Sequence, residues 1–223
     1  MKTKSLLCFS SISILLLSWL AYGQTGPKQL EVAGAPIPIH VLVQSPAETA
    51  AQLQVVCLFE SRPDNSLHGS LAEINEKLGG MLDRIRKPES FAGSLGETLL
   101  IFPASKQLSA KQLLIVGLGD SKSYTPQRME LVGAIVYREA VRLGDTHPFF
   151  APTVLDGGVT GFSTGETASW FVRGFFRAAE TEKTLASAGL TQGAAIRELT
   201  FLAGPTHADD TRDAIAKQYA AVK

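Results

Sequence analysis

Apolar residues follow two rhythms along this chain. Short unbroken runs such as Val55-Val56-Cys57-Leu58-Phe59 and Leu113-Leu114-Ile115-Val116 read as strands covered on both faces, because a strand with one wet face would alternate. Six segments of this kind are predicted: Ile37–Val43, Leu53–Glu60, Thr98–Pro103, Gln112–Leu118, Phe149–Leu155 and Ile196–Ala203. Between them the rhythm changes to steps of three and four. Leu71, Ile74, Leu78, Leu82 and Ile85 predict one helix, opened by a capping box at Ser70-Leu71-Ala72-Glu73 and stopped before Pro88. A second helix starts at Thr125-Pro126, carries Met129, Val132, Val136, Ala140 and Leu143 inward and ends at Gly144. A third runs from about Thr164 to Ala188 with Phe171, Phe175 and Ala178 inward, and a fourth from about Asp209 places Ile215, Tyr219 and Val222 together. The order ββαββαβαβα predicts a three-layer α/β domain with a mixed central sheet of about six strands.

The first 23 residues have a different pattern. Lys2 and Lys4 precede an apolar stretch from Leu6 to Leu20, and Ala21-Tyr22-Gly23 sets small residues at a cleavage site. This predicts a secretory signal peptide over 1–23, and hence a secreted or periplasmic product. The apolar run is short for a membrane span, which needs about 20 residues, and no membrane partner is expected after cleavage. Gln24 to Pro36, rich in Gly, Pro and polar residues, reads as a flexible lead-in, and 37–223 as a single domain. Length and composition agree with one domain: 223 residues, 45% hydrophobic and 19% charged. Lys+Arg and Asp+Glu both total 21, so no basic field exists to gather a phosphate backbone, and nucleic acid is excluded as a partner class. Of the two cysteines, Cys8 lies in the leader and Cys57 in the most apolar strand. An intrachain disulfide is not expected in the mature domain, and Cys57 is expected buried and inert.

Few residues offer chemistry. Gly161-Phe162-Ser163-Thr164-Gly165 fits the G-x-S-x-G nucleophile elbow, which would make Ser163 the nucleophile of a serine hydrolase. The same Ser163 begins a capping box with Glu166, which accounts for both residues without catalysis. Gly117-Leu118-Gly119-Asp120 follows a buried strand but lacks the third glycine of a dinucleotide fingerprint, so a tight turn explains it. His40, His68, His147 and His207 are scattered without metal-ligand spacing, and Asp209, Asp210 and Asp213 sit where acids favour a helix dipole. No metal and no cofactor are expected.

Two blocks carry a family resemblance. Phe91-Ala92-Gly93-Ser94-Leu95-Gly96-Glu97-Thr98-Leu99-Leu100, followed by Gln112-Leu113-Leu114-Ile115-Val116-Gly117-Leu118-Gly119-Asp120, resembles the amino-terminal domain of the leucyl (cytosol) aminopeptidases. There an F-x-G-x-x-G-E-T block precedes a strand ending in V-G-L-G. Leu67 to Leu82 is similar to that domain's first helix, and the resemblance extends roughly from Ile37 onward. It implies a macro-domain-like fold that assists assembly, while a separate carboxy-terminal domain holds two metal ions and hydrolyses peptides. The N-T-D-A-E-G-R metal-binding block of that second domain has no match in this sequence, so no catalytic residue is carried over. The resemblance thus implies a stand-alone, non-catalytic binding or assembly module, with a protein partner or self-association.

Asp156-Gly157-Gly158-Val159-Thr160-Gly161-Phe162-Ser163-Thr164-Gly165-Glu166 is also similar to the phosphate loop of macro domains proper, which bind ADP-ribose. That likeness implies backbone N–H groups and a helix N-terminus offered to a diphosphate, with Gly157, Gly158, Gly161, Ser163 and Gly165 as ligand-binding candidates and a nucleotide as ligand. The asparagine-rich first loop of macro domains is represented only by Asp64-Asn65. Shared ancestry or a tight connection explains the same glycines without a ligand, and is the preferred reading.

Overall fold

The computed structural model describes residues 26–61, 66–87, 90–191 and 195–220; the expected leader and the Asp64-Asn65 pair lie outside these. Seven strands form one mixed sheet: β1 (Gln29–Glu31), β2 (Ile39–Val43), β3 (Leu53–Phe59), β4 (Thr98–Ile101), β5 (Gln112–Gly119), β6 (Phe149–Ala151) and β7 (Leu199–Ala203). Their order is β1-β2-β7-β6-β3-β5-β4. The five central strands run parallel, and antiparallel β1 and β4 close the two edges.

β3 shows why the sheet is covered on both sides. All seven of its residues are buried, and successive side chains leave opposite faces. Val55, Cys57 and Phe59 enter one core and Val56 and Leu58 the other. The first core lies under α3 (Arg128–Leu143), α4 (Thr164–Ser187) and α5 (Ala208–Ala220). There Phe150 and Phe171 stack with centroids 3.8 Å apart, and Phe201 meets both edge-on at 5.6 and 5.3 Å. The second, smaller core lies under α1 (Gly69–Lys77) and α2 (Met81–Ile85). Cys57 is buried and free, and burial pushes its thiol far above the usual range, so it forms no reactive thiolate.

Several expected elements differ in detail. β1 lies within the lead-in: Gln29, Leu30 and Glu31 pair with Leu42, Val41 and His40. The single helix expected over 70–85 is two helices, because Gly79 and Gly80 take φ of +65° and +75°, a left-handed pair that turns the chain between them. The capping box at Ser70 does not form. The N-cap is His68, two residues earlier, the Ser70 N–H donates to Asp156 Oδ2 at 3.1 Å, and Glu73 Oε2 accepts from Ser45 Oγ at 2.6 Å. β6 stops at Ala151 and not at Leu155, since Pro152 has no N–H for the ladder. No described helix is long and apolar enough to cross a membrane.

Candidate functional site

The carboxyl ends of β2, β6 and β7 open into a crevice of about 630 Å³, with Val43, Ala151 and Ala203 at its base. In an open α/β sheet this is the end where loops gather and ligands bind. The start of α1 and the start of α4 form two walls, through Ser70 and Glu73 on one side and Thr164 and Thr167 on the other. Phe162 stands on the rim, 36% exposed, with its ring edge-on to Tyr124 at 5.8 Å. His207, at the turn into α5, completes the lining.

Thr153 shapes the β6 side of the crevice. It is the one non-glycine among the described residues with positive φ, at 49°, a conformation that costs a β-branched residue about 1–3 kcal/mol. Its hydroxyl explains why that backbone persists. Thr153 Oγ1 accepts from the Cys57 N–H at 2.9 Å and donates to the Cys57 carbonyl at 2.7 Å. A side chain thus prolongs the β3–β6 ladder, whose backbone pairing ends at Ala151, and turns the chain into the crevice wall.

The five candidates of the glycine-rich loop surround this wall without lining it themselves; Asp156, Phe162 and Thr164, interleaved with them, face the crevice. Gly157 lies against a ring, and a Cβ there would stand 2.4 Å from Phe59 Cδ2. Gly158 takes φ of +86° with nothing within 4 Å of a Cβ, and Gly161 is open on the surface. Gly165 lets α4 approach α5, since its Cβ would stand 2.6 Å from Ala214 Cβ and 2.7 Å from the Asp210 carbonyl oxygen. Ser163 is the N-cap of α4, its Oγ accepting from the Glu166 N–H at 2.9 Å. The hydroxyl proposed as a nucleophile by its sequence pattern is therefore engaged as a helix cap.

Two carboxylates occupy helix N-termini here. Asp156 Oδ2 takes the Ser70 N–H of α1, and the Asp156 carbonyl accepts from the His68 N–H at 3.1 Å. Burial raises the Asp156 carboxyl above its ordinary range, against the lowering effect of the Ser70 hydrogen bonds. Asp210 Oδ2, from α5, takes the Gly165 N–H at 2.8 Å and the Thr164 hydroxyl at 3.0 Å at the start of α4. Asp210 therefore serves another helix as well as its own, which no local spacing could reveal. Its neighbour Asp209 instead pairs with Lys28 at 3.3 Å and Arg212 at 3.2 Å.

The other candidates lie elsewhere. Gly117-Leu118-Gly119-Asp120 ends β5, and a Cβ at Gly117 would stand 2.1 Å from the Ser94 carbonyl oxygen. The Gly96 N–H donates to Gly117 O at 3.0 Å and the Gly119 N–H to Gly93 O at 2.8 Å. The two blocks that carry the family resemblance thus clasp each other, away from the crevice. His40 and His147 flank Glu198 at 3.4 and 3.9 Å near the amino ends of β2, β6 and β7, opposite the crevice. Among the described residues no group of three or more His, Cys, Asp or Glu could hold a metal ion.

Comparison with known proteins bears on the fold. Residues 55–153 match the model of the cytosol aminopeptidase family, N-terminal domain. A probable cytosol aminopeptidase of Alkaliphilus oremlandii is 28% identical over 102 residues, covering 46% of this chain and 20% of that protein. The chain thus spans about a fifth of the length of the curated relatives it matches. Among solved structures, the Oceanobacillus iheyensis macrodomain with ADP superposes with a TM-score of 0.57 at 14% identity, covering 89% of this chain and 99% of that one. A tomato leucine aminopeptidase superposes with a TM-score of 0.53 at 17% identity, covering 84% of this chain and 37% of that one. The chain has a macrodomain-like α/β fold and is related, through residues 55–153, to the amino-terminal domain of the cytosol aminopeptidase family.

Proposed function

We propose that this chain is an exported, non-catalytic module that binds a small molecule in the crevice at the carboxyl ends of β2, β6 and β7. The crevice itself carries the reading. At about 630 Å³ it falls in the size range of ligand sites, and it combines apolar walls with a few convergent polar groups at the ligand-binding end of a parallel sheet. A binding rather than a catalytic role is supported by Ser163, whose hydroxyl is engaged as the cap of α4. Export is supported by the leader pattern of residues 1–23.

Gly204 gives a direct test. It lines the crevice, is exposed, and a Cβ there would meet only His207 at 3.7 Å, so Gly204→Trp fills the mouth without strain. A calorimetric screen of nucleosides, nucleotides and small amines should find a ligand that this variant no longer binds; silence across the panel would count against the reading. Leucyl-p-nitroanilide with added manganese or zinc should not be hydrolysed, and metal-dependent turnover would refute the non-catalytic part. Protein recovered from an exporting host should begin at Gln24, and an uncleaved Met1 would refute export.

A further inference from the structure

The crevice also indicates what kind of molecule it takes. We infer, resting on the crevice being a ligand site, that its ligand is a neutral or cationic hydrogen-bond donor of nucleoside size, and that diphosphates are selected against. A phosphate binds an α/β crevice mainly through unsatisfied N–H groups at helix N-termini. Here several of those groups are already bonded within the protein, two of them to its own acids. The Ser70 N–H of α1 is bonded to Asp156, and the Gly165 N–H of α4 to Asp210, while the Glu166 N–H is bonded to Ser163 Oγ.

A diphosphate entering along either wall would have to displace a carboxylate and then remain beside it, a like-charge contact in a partly desolvated place. The acidic residues of the lining are Glu73 and Asp156, and among the described residues no lysine or arginine faces the crevice. The two carboxylates are acceptor-only groups with about four lone-pair sites each. Asp156 is already bonded to the Ser70 N–H and hydroxyl and to the Leu71 N–H, whereas Glu73 uses one site on Ser45, so the remaining capacity, chiefly at Glu73, calls for donors on the ligand. The exposed Phe162 ring on the rim adds a face for a flat or cationic group.

Calorimetry with adenosine, tryptamine, ADP and ADP-ribose on the whole chain decides the matter. Adenosine or tryptamine should bind at least as tightly as ADP. In Asp210→Asn, which removes the charge at the start of α4, the ratio of ADP to adenosine affinity should rise about tenfold. Asp210 is exposed, and an unchanged melting temperature would show that the variant is folded. Should ADP or ADP-ribose bind the native chain about tenfold tighter than adenosine, this inference falls and the crevice reading stands. An unchanged ratio in folded Asp210→Asn also overturns it. No heat from any of the four overturns the crevice reading and this inference with it.

Discussion

At the seam between α3 and α4 the helix backbones touch. A Cβ at Gly174 would stand 1.8 Å from the Glu130 carbonyl oxygen, and one at Gly133 2.0 Å from that of Phe171. At the crevice the loop from Gly157 to Gly165 holds glycines of two kinds: Gly157 and Gly165 are also crowded, though less tightly, whereas Gly158 and Gly161 meet nothing within 4 Å. The same residue type thus closes one part of the molecule and leaves another open. A glycine-rich loop beside a crevice therefore need not supply its lining; here the interleaved Asp156, Phe162 and Thr164 do.

The contrast can be broken most severely at the seam. Phe171→Ala, which removes a buried ring stacked on Phe150, should cost about 4 kcal/mol in a denaturant titration. Gly174→Val should cost about 3 kcal/mol, because the obstacle is helix backbone and cannot rotate away. At the crevice the effects shrink. Ser163→Ala should lose about 1 kcal/mol with its cap while leaving esterase background and crevice binding unchanged; a larger effect on ligand than on stability would restore a chemical role to Ser163.

Asp156 gives a gentler test through pH. Its folded carboxyl holds its proton more tightly than the unfolded one. Its contribution is therefore present below the ordinary carboxylate range and lost as pH rises through the raised folded value. Melting temperature should decline across that window in the native chain, and more weakly in Asp156→Asn. The smallest effect is expected at Gly161→Ala, where nothing lies within 4 Å and φ is not positive. It should change stability by less than about 0.5 kcal/mol, and a larger loss would mean that this turn is packed.

What the sequence disclosed follows the same division. The buried strands were legible because two-sided coverage writes itself as unbroken apolar runs, as in β3 and β5. Three-residue β1 has no such run; Gln-Leu-Glu at an edge takes its order from β2. The break between α1 and α2 was masked because Leu78 and Leu82 kept the helical rhythm across Gly79-Gly80. The aminopeptidase-like blocks were recognisable because Gly93, Gly96, Gly117 and Gly119 clasp one another, so that resemblance reported the fold and not a site. Of the crevice only the loop from Asp156 to Glu166 was legible. The lining comes from segments around 43–46, 69–73, 151–156, 162–167 and 201–211, which only the parallel strand order brings together.

That strand order also sets a timetable. β7, near the end of the chain, is inserted between β2 and β6, so the three strand ends beneath the crevice cannot meet until residues 199–203 have been synthesised. A nascent chain that has emerged only through α4 leaves β2 and β6 each with an unpaired edge, a template for association with other chains. Parallel pairing between distant segments is slow in any case. The crevice is therefore among the last features of the fold to form.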